Sequence, residues 1–202
     1  MKKKGNLIVI SGPSGTGKGT IVKEILKKDD NLVISVSATT RSPRTGELNG
    51  KDYHFLNKDD FKALIKNDGL LEYAEYCDNF YGTPKSVVEK ALNNGNDVIL
   101  EIEVQGAQKI REKCPDSVSI FVAPPSMQEL RARLKNRSTE SDDIIDKRTA
   151  QAAIELKCAN DYNYIVVNDR LDKCVQDVLS IINAERYKTD RMSSFINELS
   201  QK

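Results

Sequence analysis

The segment Gly12-Pro13-Ser14-Gly15-Thr16-Gly17-Lys18 constrains this chain most. The apolar run Leu7 to Ile10 precedes it and reads as a strand buried on both faces. Behind it, Ile21, Val22, Ile25 and Leu26 form an apolar stripe at helical spacing. A strand, a glycine-rich turn and an amphipathic helix in this order make a phosphate-binding loop. Glycines let successive backbone N–H groups curl around phosphate oxygens. The helix N-terminus adds partial positive charge, and Lys18 reaches the terminal phosphates. The loop departs from the usual pattern at one place: the Ser or Thr that normally follows the lysine is Gly19, with Thr20 behind it. A Mg²⁺ ion is then expected to rest on nucleotide oxygens and waters, which suits its reluctance to dehydrate.

The remaining apolar pattern extends this unit. Leu32–Val36, Val98–Ile102, Ser119–Val122 and Tyr164–Val167 read as further strands. Met127, Leu130 and Leu134 set one helical face, a long helix runs to about Asn160, and Val175, Val178, Leu179 and Ile182 set another face. Strands that alternate with helices at both ends of the chain predict an α/β fold, a parallel sheet covered by helices. The middle breaks the alternation. Residues 38–57 are polar and irregular, and Phe61, Leu64 and Ile65 mark a short helix that Gly69 ends. Leu70–Tyr76 alternates apolar and polar positions, Tyr81-Gly82-Thr83-Pro84 reads as a turn, and a helix spans Lys85–Asn93 up to Asn94-Gly95. This mixture predicts an inserted α+β subdomain. Asn136–Asp143 lacks apolar residues and reads as mobile.

Composition narrows the partners. A chain of 202 residues buries about 70% of its unfolded surface and needs no disulfide staples. Lys plus Arg is 31 against 30 for Asp plus Glu, a net charge of +1. That balance excludes a general polyanion binder, so no nucleic-acid partner is expected. The apolar run after the basic Met1–Gly5 start is too short for a secretion signal or a membrane span, so no membrane partner is expected. Cys77, Cys114, Cys158 and Cys174 show no C-x-x-C spacing, and His54 is the sole histidine. Reduced thiols and a cytoplasmic protein without a bound structural metal follow as the expectation.

The middle segment then carries the most specific signal. Ser35-Val36-Ser37-Ala38-Thr39-Thr40-Arg41-Ser42-Pro43-Arg44 is followed by Gly46-Glu47-Leu48-Asn49-Gly50-Lys51-Asp52-Tyr53-His54-Phe55. With Glu72, Tyr81-Gly82-Thr83 and Glu101-Ile102-Glu103-Val104-Gln105-Gly106, this closely resembles the guanylate kinase family. The resemblance runs in order through Arg137, Arg148 and Val166-Val167-Asn168-Asp169, and the chain beyond Arg186 carries no family motif. It implies a P-loop kinase core over residues 1–34 and 97–202, a short helical lid at about 136–149, and a GMP-binding subdomain over 35–96. The implied reaction is transfer of the γ-phosphoryl group of ATP to GMP, with Mg²⁺ accompanying ATP.

Site residues follow from the same resemblance. The loop Gly12, Pro13, Ser14, Gly15, Thr16, Gly17, Lys18, Gly19 and Thr20 would bind ATP, together with Arg133, Arg137 and Asn168. Arg41, Arg44, Tyr53 and Tyr81 would hold the GMP phosphate; arginine forks match phosphate geometry, and phenols donate without adding charge. Ser37, Glu72, Thr83 and Glu103 would face the guanine and its surroundings, with Thr83 where many members have Ser and Glu103 where many have Asp. Lys18, Arg41, Arg137 and Arg148 would act on the migrating phosphoryl group, with Arg148 also on the GMP side. Helical spacing puts Arg133 and Arg137 on one face and Arg131 off it, toward solvent. A salt bridge to Asp143 or Asp146 is the structural alternative for Arg148. Glu101 and Glu103 end a strand and could orient a Mg²⁺ water shell or simply be solvated; His54 reads as structural.

Two rivals stand beside this reading. A non-catalytic interaction module of the same fold would lack an intact phosphate loop or lid arginines, and this chain has both. A monophosphate kinase with another base preference is the second. Gly17-Lys18-Gly19-Thr20 resembles the loop of adenylate kinase, but the Arg41–Tyr53 segment does not.

Overall fold

A computed structural model describes residues 3–76, 78–137 and 141–200, without the side chains of Tyr76, Arg137 and Ser194. The chain runs β1 (Leu7–Ser11), α1 (Lys18–Leu26), β2 (Leu32–Ile34), β3 (Ala38–Thr39), β4 (His54–Phe55), α2 (Lys58–Lys66), β5 (Leu70–Tyr76), β6 (Asn79–Pro84) and α3 (Lys85–Asn93). It continues through β7 (Asp97–Glu101), α4 (Val104–Lys113), β8 (Val118–Ala123), α5 (Met127–Arg137), α6 (Asp142–Leu156), β9 (Tyr164–Val167), α7 (Leu171–Arg186) and α8 (Thr189–Ser200). A short 3₁₀ turn over Lys157–Asp161 follows α6.

The fold is α/β, as expected. Five parallel strands lie in the order β2-β7-β1-β8-β9. β1 is buried along its whole length, because helices cover both faces of the sheet. On one face Ile8 and Ile10 pack against Ile21, Val22 and Ile25 of α1 and Val175, Val178 and Ile182 of α7. On the other, Leu7 and Val9 pack with Val88 and Leu92 of α3 and Val104, Ala107 and Ile110 of α4. So α3, at the end of the 35–96 segment, turns its apolar face to the core sheet. The phosphate loop leaves the carboxyl end of β1, where open α/β sheets bind ligands. Ile10 pairs with Glu101, which sets that carboxylate beside the root of the loop.

A second, mixed sheet has the order β4-β3-β6-β5 and its own small core of Ala38, Phe61 and Leu70, with Leu56, Leu64, Ile65 and Phe80 against it. The structure corrects the sequence reading here. Tyr81–Pro84 is strand rather than turn, because it pairs antiparallel with β5 and, at Tyr81 and Gly82, with β3. The reversal falls earlier, where Asp78 takes φ 60. The irregular stretch 38–57 holds β3 and β4, joined by the His54 N–H donating to Ser37 O at 2.8 Å. The left-handed residue after α2 is Asp68 (φ 49) rather than Gly69. Lys85 and Lys113 hold the Asp68 carboxylate at 3.2 and 3.1 Å and keep it below the usual carboxylate range.

The C-terminal end has a clear anchor. Arg186 Nε donates to Asp97 Oδ2 at 2.6 Å, and its Nη2 lies 2.7 Å from Asp29 Oδ2. Asp97 also accepts the Asn6 N–H at 2.6 Å, so one buried carboxylate ties α7 to the start of β1 and of β7. α8 lies beyond, with Arg191 Nη1 donating to the Lys4 and Gly5 carbonyls at 3.3 Å. Among the described residues no helix is long and apolar enough to cross a membrane.

Candidate active site

The phosphate loop is held open by its own backbone. Gly12, Gly15 and Gly17 take φ 143, 89 and 88, conformations that only glycine adopts without strain. Close packing reinforces this: a Cβ on Gly15 would lie 2.8 Å from Leu134 of α5, and one on Gly17 would lie 2.6 Å from Asn168 Nδ2. Thr16 is buried and its Oγ1 donates to Pro13 O at 2.9 Å. Lys18 opens α1 and folds back, donating to Gly12 O at 2.6 Å and Pro13 O at 3.0 Å. The ammonium thus sits inside the loop's curve, where an arriving phosphate would exchange for carbonyl oxygens.

Three flanking residues brace the loop. Asn168, buried at the end of β9, donates through Nδ2 to Thr16 O at 2.7 Å. Its own carbonyl accepts from Arg133 Nη1 at 2.8 Å, while Arg133 Nε is paired with Glu129 at 2.9 Å. Arg148 on α6 donates through Nη2 to Ser14 Oγ at 2.6 Å. Asp146, one of the alternatives for Arg148, pairs with Arg131, a half-exposed residue. Arg137 closes α5, but its side chain lies outside the described residues, as do residues 138–140 of the expected lid. α5 and α6 pack on each other through Leu130, Leu134, Ile145 and Ala152.

Gly19 and Glu101 explain each other. A Cβ on Gly19 would lie 3.2 Å from Glu101 Oε1, so the carboxylate abuts the space that a Ser or Thr side chain would enter. An anionic oxygen donor at this point fits a hard divalent cation. Thr20 is exposed one residue on. Glu103 is exposed and caps α4 with extended backbone, without a side-chain capping bond.

The second cluster lies on the mixed sheet. Arg41 Nη2 meets both oxygens of Glu47 at 2.9 Å, and its guanidinium lies 5.4 Å from the centre of the Tyr53 ring. The Tyr53 and Tyr81 rings meet edge-on at 6.1 Å. Glu47 also accepts the Arg44 N–H at 2.7 Å. The hydrogen bond from Arg41, and then that from Arg44, hold the Glu47 carboxyl below its ordinary range. Arg41, Tyr53 and Tyr81 therefore lie together, and Arg44 joins them through its backbone N–H to Glu47, a carboxylate that the sequence reading missed. The signal was present: Glu47 lies in the loop between the arginines and the tyrosine.

Glu72 is 8% exposed, and Thr83 Oγ1 donates to its Oε1 at 2.7 Å. Burial raises its pKa above the ordinary carboxylate value, against the Thr83 hydrogen bond and the charge of Lys109. A buried carboxylate with one oxygen satisfied and the site's α4 end beside it is a ready acceptor. Ser37 precedes β3 and is half-buried. Glu155 on α6 is a further residue that sequence reasoning missed. Burial, and then repulsion from Glu103, raise its pKa, against a hydrogen bond from Gln151 and the charge of Lys18. Nothing in the sequence spacing marks it, because the approach of α6 to the phosphate loop is a tertiary fact.

Comparison with known proteins agrees with this geometry. The family model described as guanylate kinase matches residues 4–185. The chain is 52% identical over 191 residues to the guanylate kinase of Caldanaerobacter subterraneus subsp. tengcongensis, covering 95% of this chain and 93% of that one. It is 48% identical over 196 residues to the guanylate kinase of Clostridioides difficile, covering 97% and 96%. Among solved structures, guanylate kinase from Anaplasma phagocytophilum superposes with a TM-score of 0.74 at 36% identity, over 94% of this chain and 90% of that one. With a phosphate loop, an arginine–tyrosine cluster and matches over nearly its full length, the chain belongs to the guanylate kinase family.

Proposed function

We propose that this site transfers the γ-phosphoryl group of ATP directly to the phosphate of GMP, giving ADP and GDP. The observation that carries the reading is the buried Glu72 carboxylate, which shares a small mixed sheet with the Arg41–Tyr53–Tyr81 cluster. Guanine presents N1–H and the N2 amino group side by side, and a carboxylate has the two acceptor oxygens to meet both. Adenine offers no such pair. Thr83 fixes the carboxylate, Ser37 and Glu103 line its surroundings, and Arg41, Arg44, Tyr53 and Tyr81 take the monophosphate. No covalent intermediate is required, since phosphoryl transfer is mainly positioning and charge stabilisation.

On the ATP side, residues 12–20 cradle the phosphates, Lys18 takes the terminal ones, and Arg133 and Asn168 shape the nucleotide pocket. Arg137 and Arg148 supply charge from the lid at about 136–149, part of the core of 1–34 and 97–202, toward the GMP subdomain of 35–96. Closure would exclude water that otherwise hydrolyses ATP. Mg²⁺ would be held by ATP oxygens and waters, with Glu101 orienting that shell; the ion shields phosphate charge. A cytoplasmic location is part of this reading, where ATP and GMP would both be supplied.

Two substitutions test these assignments. Glu72→Gln turns an acceptor into a donor facing a donor. It is expected to lower kcat/KM for GMP by on the order of 10²-fold, and for AMP far less, so the GMP:AMP ratio falls. An unchanged ratio with both activities reduced would make Glu72 a support of the subdomain instead. For Arg148→Ala, kcat should drop more than KM for GMP rises, because the lid charge acts on the transition state. Steady-state kinetics that show raised KM with intact kcat would make Arg148 a ground-state binding residue.

A further inference from the structure

Gly106 sits in the first turn of α4, where alanine would be the better helix former. It shows no positive φ, so backbone conformation does not demand glycine there. The demand comes from a neighbour. A Cβ on Gly106 would lie 3.3 Å from Glu72 Oε2 and 3.6 Å from Glu72 Cδ. The Glu72 carboxylate is thus lodged against the bare backbone of α4, with Thr83 holding its other oxygen at 2.7 Å.

The helix has no room to retreat. The opposite face of α4 is locked in the core through Val104, Ala107 and Ile110. Lys109 Nζ donates to Tyr73 O at 2.7 Å and Lys113 Nζ to Leu70 O at 3.3 Å, which ties the helix to β5 on both sides of Glu72. A methyl group on Gly106 therefore displaces the carboxylate by a few tenths of an ångström rather than the helix.

We propose that Gly106 is a specificity-determining position: its missing side chain sets the place of the Glu72 carboxylate, and so the fit of guanine. This inference rests on Glu72 reading the base. Gly106 touches no substrate and acts as a positioning residue through Glu72.

The test measures kcat and KM for GMP, AMP and ATP, together with thermal unfolding, in the full chain carrying Gly106→Ala, Glu72→Gln or both. Gly106→Ala is expected to raise KM for GMP by on the order of 10-fold and to lower the GMP:AMP ratio of kcat/KM. KM for ATP should stay within about twofold, and Tm should hold or rise, since alanine favours the helix. In the Glu72→Gln background the same change should add little, because the two act through one contact. If Glu72→Gln collapses the base ratio and Gly106→Ala leaves it alone, the base reading stands and the role of Gly106 is overturned. If Glu72→Gln leaves the ratio intact, both fall. A loss shared equally by GMP, AMP and ATP, with a lowered Tm, makes Gly106 merely structural and also overturns the proposal.

Discussion

Lys18→Met should leave a folded protein whose turnover is lower by about 10²–10³-fold, the cost of one preorganised electrostatic contact to a transferring group. The ammonium already lies within the curve of the loop, 2.6 Å from Gly12 O, where phosphate oxygens would replace the carbonyls as its partners. Methionine keeps most of the side-chain volume and removes the charge. KM for GMP should change little, because the cluster around Arg41 and Tyr53 belongs to the other sheet. Circular dichroism and Tm establish folding, and coupled ADP detection measures turnover. Near-normal turnover in folded Lys18→Met would remove the phosphate loop from the chemistry.

The largest expected effect on stability lies far from that chemistry. Asp97 is 2% exposed and is matched by Arg186 at 2.6 Å. Removing the arginine leaves a buried carboxylate without its counter-charge, and breaking such a pair costs about 3–5 kcal/mol. Arg186→Met should therefore lower the urea-derived unfolding free energy by that amount. In an Asp97→Asn background the penalty should shrink, since only the partly exposed Asp29 carboxylate is then left without its counter-charge. A loss below about 1 kcal/mol in the single variant would place this pair with ordinary surface ion pairs.

The parts of the structure legible in the sequence are those where local pattern and tertiary role coincide. Leu7–Ile10 had to be a doubly buried strand before a glycine loop, and β1 and α1 follow that reading. Lys85–Asn93 is helix over the expected residues, ending at Gly95 with φ 88. The errors cluster where pairing partners decide. Tyr81-Gly82-Thr83-Pro84 has turn composition, yet β5 on one side and β3 on the other draw it into a sheet. α4 escaped notice because its buried stripe is only Val104, Ala107 and Ile110, with Gly106 inside it. In the site, residue types and order pointed to the phosphate loop, the arginine pair and Glu72. Longer-range partnerships were not legible: Ser14 under Arg148, Glu101 beside Gly19, and the charges of Glu103 and Lys18 acting on Glu155. Each joins segments that only the folded chain brings together.

The chain phosphorylates a nucleoside monophosphate, and the buried Glu72 carboxylate is proposed to select it by its guanine. The measurement that tests it most directly is ADP formation by the purified protein with ATP, Mg²⁺ and, in turn, GMP, AMP, UMP or dTMP. Rapid ADP production is expected with GMP, and a kcat/KM lower by at least about 10²-fold for each of the others, which lack guanine's pair of adjacent donors. Equal rates with AMP and GMP, or no ADP formation dependent on GMP, would contradict it.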